Sequence, residues 1–235
     1  MSSLERPRRI LAIECSTPAA SVAMRSRSGD LLERPVATGD RRRDHLPPAI
    51  DALLVESGCA RHDLDGIAIS EGPGGFTGLR ISVALAKGIA EALGIPTLGV
   101  ASAAVAAAST LADEDPRPAL VVLATKRGTA WVEAIDLDAA TGRRVSGGGR
   151  IVEASSAFEC PGDAVVLADA KQDSGIVAML AVGGREVREP RVSAGSLLRL
   201  AERTPFETGW GDPDRLAVRY PRVPEAVAKW NAGAR

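Results

Sequence analysis

Aromatic side chains are scarce, making up 3% of the chain. That shortage leaves little to stack single-stranded nucleic acid on, and it hands the core to alanine, valine and leucine, whose helices must pack closely. Histidine occurs twice, as His45 and His62, and forms no HxxxH pair. A metal-dependent transferase or protease reading, which needs two imidazoles one helical turn apart, therefore lacks its ligands. The three cysteines, Cys15, Cys59 and Cys160, are odd in number, far apart and free of CxxC spacing, which argues against a disulfide framework and a zinc site and fits a reducing cytosol. Charge of one sign is missing too. With 29 basic and 30 acidic side chains, no global field draws the protein onto nucleic acid or membrane, so any RNA contact must be local or borrowed from a partner. Long apolar runs are absent: the longest, Leu98 to Ala108, contains Gly99 and Ser102 and is too short to span a bilayer. Arg6, Arg8 and Arg9 precede an apolar run that stops at Glu14, so no export signal is expected. The expectation is a cytoplasmic protein without membrane contact.

What is present is ordinary globular composition, 45% hydrophobic and 25% charged over 235 residues, enough for one large domain or two lobes. RILAIE at 9–14 reads as a buried strand, with further strands at Ser21–Met24 and Leu31–Val36. A helix is expected over Leu46–Ser57, with Pro47 and Pro48 tolerated in its first turn and Gly58 ending it. GIAIS at 66–70, a long helix at Thr77–Leu93, a strand at Thr97–Val100 and a helix at Ser102–Leu111 complete this half. After the polar stretch Asp113–Pro118 the pattern begins again, with strands at Ala119–Ala124, Ala130–Leu137, Arg144–Val152 and Ala164–Ala168. Helices are expected near Gly175–Leu180 and over Ser196–Arg203, and Phe206–Arg235 shows little periodicity. Two successive meanders, each followed by alternating helices and strands, predict a duplicated α/β architecture with lobes at 1–112 and 113–235.

Between GIAIS and the long helix lies Glu71-Gly72-Pro73-Gly74-Gly75-Phe76-Thr77-Gly78-Leu79-Arg80. A strand, a glycine-rich loop and a helix N-terminus can hold an anion, with Gly72, Gly74, Gly75, Thr77 and Glu14 as candidate contacts. Such turns more often serve packing, and both uses stand open here. Neither GxxxxGK[ST] nor GxGxxG occurs. As a longer pattern, GPGGFTGLRISVALAKGIAEALGIPTLGVASAAVAA resembles the GPGSFTGLR-type stretch and IPxxGVxS continuation of the TsaB/YeaZ family. ILAIECSTPAASVAM, LPPAIDALLVESG and RYPRVPEAVAKW are similar to that family's opening strands, LLPxIDxLL helix and YLRxPEA-type tail; residues from about 112 to 205 match only in layout.

The resemblance implies an actin-like, ribonuclease H-like fold with two lobes. It also implies a non-catalytic role as dimer partner and activator of TsaD in tRNA N6-threonylcarbamoyladenosine modification, beside the anticodon of ANN-decoding tRNAs. TsaE and, through the complex, tRNA are implied as further partners, with a homodimer in isolation and ATP or ADP only at the level of the complex. The sequence departs from the family at three places. Glu14 replaces an aspartate at the first turn, Ala124-Thr125-Lys126 replaces a DAR-type stretch, and Arg42 stands where a histidine often precedes LLP. Magnesium and nucleotide phosphates in an actin-like ATPase or kinase are oriented by acidic residues at both turns, so that rival reading, built on Glu14 and the glycine loop, is weakened. Cys15 has no base implied beside it, and Arg41-Arg42-Arg43 reads as a solvated loop or a local phosphate contact. The helices carry more apolar surface than one sheet needs. On the long helix Leu79, Val83, Ala86, Ile89, Ala90 and Leu93 form one stripe, while Ile81, Leu85, Gly88 and Ala92 form a second. Leu46, Ile50, Leu53 and Leu54 line one side of the earlier helix and Ala49, Ala52 and Val55 the other. Covering by the chain itself would account for this equally; the resemblance points instead to partner binding through Leu46, Ile50, Leu53, Ile81, Leu85, Gly88 and Ala92.

Overall fold

The computed structural model describes residues 7–37, 45–113, 115–124, 129–153, 162–168, 186–221 and 230. Strands β1 (Ile10–Glu14), β2 (Ser21–Arg25), β3 (Leu31–Pro35), β4 (Gly66–Gly72) and β5 (Thr97–Ala101) form one sheet in the order β3-β2-β1-β4-β5. β1 runs antiparallel to β2 and parallel to β4. As a central strand covered on both faces it is buried throughout, which is why ILAIE shows no polar alternation. A second sheet joins β6 (Ala119–Ala124), β7 (Thr129–Asp138), β8 (Arg143–Glu153), β9 (Val165–Ala168) and β10 (Val187–Arg188). Its order, β8-β7-β6-β9-β10, repeats the first sheet position for position, with the same antiparallel and parallel pairings. The mixed α/β expectation therefore holds, and among the described residues strands β1 to β9 lie within a few residues of their expected bounds. The helix expected near Gly175–Leu180 lies outside the described residues.

Helices α1 (Leu46–Ser57) and α2 (Phe76–Leu93) cover one face of the first sheet. Gly58 and Gly94 end them at φ 69° and 67°, a left-handed turn that costs a residue with a Cβ more than glycine. Period-two alternation sends Leu11 and Ile13 to this face, where they meet Leu53, Val83 and Ala86. Ile10 and Ala12 point the other way, into a core shared with α3 (Ser102–Thr110), α4 (Ala194–Glu202) and Val121 and Ile135 of the second sheet. Lying between the sheets, α3 is buried from Ser102 to Ala108, so its alanines serve close approach on every side. α4 starts two residues before its expected bound because the Ser193 hydroxyl accepts the Ser196 N–H at 3.1 Å, an N-cap that satisfies a free donor.

The C-terminal stretch, expected to be irregular, contains a short helix α5 (Phe206–Gly209) and returns to the first sheet. Thr97 and Gly211 exchange backbone hydrogen bonds of 2.9 Å, and the Arg219 N–H donates to the Glu71 carbonyl at 2.6 Å. Among the described residues no helix is long and apolar enough to cross a membrane.

Candidate partner-binding surface

The glycine-rich loop lies against the turn that follows β1. The Gly75 N–H donates to the Ser16 carbonyl at 2.7 Å. A Cβ at Gly74 would collide with that carbonyl, and one at Gly78 with the carbonyl of Cys15. Gly72, at φ 113°, has the Arg219 carbonyl 2.6 Å from where a Cβ would stand. Backbone-to-backbone packing thus accounts for the loop glycines, leaving Gly75 and Thr77 at the exposed start of α2.

Glu14 is fully buried at the end of β1, and the chain itself occupies both its oxygens. Oε1 accepts the Ser16 N–H at 2.6 Å, and Oε2 accepts the Ser70 hydroxyl. Burial pushes its carboxyl above the ordinary glutamate range, opposed by the hydrogen bonds from Ser16 and Ser70. Cys15 is buried behind Gly78. His45 stands at the N-cap of α1 and His62 in an exposed turn. Among the described residues no three His, Cys, Asp or Glu side chains are grouped to hold a metal. Arg41-Arg42-Arg43, Thr125-Lys126 and Cys160 lie outside the described residues.

The two helices split the expected partner-binding set. Leu46 and Leu53 point down onto the sheet, Leu53 at 0% exposure; they hold α1 in place and are not available to a partner, which corrects their assignment. The correction follows from the angular width of the apolar stripe: α1 is apolar on more than one face, and sequence spacing alone does not say which face the sheet takes. Ile50, at 5% exposure, is also largely covered. Together with Leu54 of α1 and Leu85, Gly88, Ala92 and Leu93 of α2 it lines an apolar groove of about 430 Å³ between the helices. Ile81, 40% exposed, continues the same face of α2, and Val55, 82% exposed, stands on the outer side of α1. Arg61 and Asp51 close one rim with an ion pair of 2.8 Å.

At the start of α2 lies a group that spacing had not marked. Phe76 is 54% exposed, the Arg80 guanidinium sits 3.8 Å above its ring, and Arg80 Nε donates to the Tyr220 hydroxyl at 2.7 Å. The four-residue spacing of Phe76 and Arg80 was legible as one helix face; Tyr220 arrives only because the C-terminal segment folds back.

Comparison with known proteins identifies the family. The chain matches the family described as "TsaD: tRNA N6-adenosine threonylcarbamoyltransferase" over residues 34–153. A Mycobacterium tuberculosis protein described only as uncharacterized is 30% identical over 222 residues, covering 92% of this chain and 93% of that one. The tRNA threonylcarbamoyladenosine biosynthesis protein TsaB of Escherichia coli is 33% identical over 94 residues, 40% of either chain. Among solved structures, YeaZ from Pseudomonas aeruginosa superposes with a TM-score of 0.76 at 23% identity, over 92% of this chain and 100% of that one. The molecule is of the mixed α/β class, with two like-ordered five-stranded sheets and an apolar groove between two helices of the first. The chain belongs to the TsaB/YeaZ family.

Proposed function

We propose that this protein is a cytoplasmic, non-catalytic partner and activator of TsaD in making N6-threonylcarbamoyladenosine beside the anticodon of ANN-decoding tRNAs. The observation that carries the reading is the apolar groove between α1 and α2, with Leu85, Gly88 and Ala92 on its α2 wall. Small side chains let a second helix approach closely, and a groove of this kind on a soluble protein is a docking surface more often than bare exterior. Naming of relatives as tRNA threonylcarbamoyladenosine biosynthesis proteins supports the pathway. The internal hydrogen bonding of Glu14 supports the non-catalytic part, since a carboxylate occupied by Ser16 and Ser70 has little left for magnesium or phosphate.

On this reading the two like-ordered sheets are the cores of duplicate lobes, 1–112 and 113–235, with the segment from α4 onward strapped back across the first. The isolated chain pairs with itself through the groove, exchanges that contact for TsaD, and reaches TsaE and tRNA through the complex. ATP or ADP binds only there. Size-exclusion chromatography with and without TsaD, followed by a threonylcarbamoyl-transfer assay on tRNA, tests it. Wild-type protein co-elutes with TsaD and stimulates transfer; Ile81→Glu and Gly88→Glu, both at exposed positions, abolish co-elution and stimulation while the unfolding free energy of the isolated chain changes by less than about 0.5 kcal/mol, as for other surface substitutions. Absence of a complex with wild-type protein, or full stimulation by both variants, sinks the reading.

A further inference from the structure

A second pocket, away from the helix groove, opens where β5, the first residues of β8 and the α4–α5 connection meet. It measures about 230 Å³. Its floor is apolar, from Leu98, Ala101 and Leu200, and its walls carry three guanidinium groups, Arg143, Arg144 and Arg219, against one carboxylate, Glu71. Glu71 is already taken: it pairs with Arg219 at 2.5 Å. Arg144, 4% exposed, donates to the carbonyls of Arg117 and Asp115, which orient it without cancelling its charge. Arg143 makes no ion pair among the described residues, and its Nε is buried with no hydrogen-bond partner.

Among the described residues no carboxylate forms an ion pair with Arg143 or Arg144. Asp115 is bound to Arg117 and Asp113 to Arg203, each at 2.7 Å. Asp138, which exerts an attraction on Arg143, accepts instead from Thr141 and the Ala140 N–H. Burial accordingly weakens the hold of both Arg143 and Arg144 on their protons. A buried donor left without an acceptor is costly, and two guanidinium groups facing one cavity, with the Arg143 Nε unsatisfied among the described residues, mark a place where an anionic ligand fits. The planar fork of an arginine matches two oxygens of a phosphoryl group.

We propose that this pocket binds a small organic phosphate, its phosphoryl oxygens on Arg143 in the field of Arg144 and its carbon portion on the apolar floor. A cavity closed beneath by Leu98, Ala101 and Leu200 suits a terminal phosphate group rather than a nucleic-acid backbone running through. The site is independent of the helix groove and stands or falls separately from partner binding.

Thermal unfolding of the full chain tests it, in sodium phosphate or glycerol 3-phosphate against sodium chloride at matched ionic strength, with a short RNA free of terminal phosphates as a further arm. Tm rises with phosphate and at lower concentration with glycerol 3-phosphate, and is unmoved by the RNA. Arg143→Gln leaves Tm in chloride close to that of the unaltered chain, because no ion pair among the described residues is lost. It weakens phosphate binding about tenfold or more, the weight of a charge-assisted hydrogen-bond pair. NMR of the Arg143 Nε–H in the unaltered chain gives a second readout that needs no variant to fold: the resonance moves as glycerol 3-phosphate is added. Identical melting in phosphate and chloride, a shift that survives Arg143→Gln, an Arg143 resonance that stays still, or displacement of glycerol 3-phosphate by the RNA overturns the assignment.

Discussion

Gly74 and Gly88 are separated by fourteen positions and by opposite physical demands. At Gly74 the Ser16 carbonyl fills the space a Cβ would take, whereas at Gly88, inside α2, nothing lies within 4 Å. Gly74→Ala is therefore expected to destabilise by about 1–3 kcal/mol, through overpacking against a backbone that cannot easily move. Gly88→Ala is expected to stabilise the isolated chain by about 0.5–1 kcal/mol, because glycine is the poorer helix former. Urea denaturation of both variants measures the two signs; like signs would refute the packing account of the loop. The same scale explains Glu14. A carboxylate at the end of a central strand is tolerable only because Ser16 and Ser70 satisfy it, and Ser70 lies on β4, directly beyond the β1–β4 pairing.

At the level of elements, α1 shows how one helix divides its labour. Leu53 and Val55 are two residues apart, one in the core and one almost free of contact. Truncating Leu53 to alanine is expected to cost about 2–5 kcal/mol, as for other fully buried leucines, while Val55→Ser is expected to stay within about 0.5 kcal/mol. Comparable urea midpoints for the two variants would mean that α1 is not seated as described. α2 divides likewise, with Val83, Ala86 and Ala90 inward and Ile81 and Ala92 outward. The apolar excess read from spacing was thus real, but its assignment to faces was half legible. Periodicity gives the angle between two side chains and not the direction of the sheet that will cover them.

Across the whole molecule, one core joins both sheets. Ile10 and Ala12 of the first sheet, Val121 and Val165 of the second, and Leu197 of α4 belong to the same buried cluster. A repeated topology therefore does not imply independent halves, and calorimetry is expected to show a single transition, lowered as a unit by Leu197→Ala. Two separable transitions, with only one shifted by that variant, would contradict the shared core. Strand and helix positions, the missing imidazole pair and the strand–loop–helix order around Gly72–Arg80 were determined by the sequence alone, because alternation, capping and turn chemistry act between residues a few positions apart. Tertiary structure alone decided that Leu53 is covered and Ile81 is not, that Tyr220 reaches Arg80 across 140 positions, that Ser70 occupies Glu14, and that the Arg143 Nε is buried without a hydrogen-bond partner among the described residues. Each depends on which distant segment arrives alongside, and exposure and charge pairing are set by those arrivals rather than by neighbours in the chain.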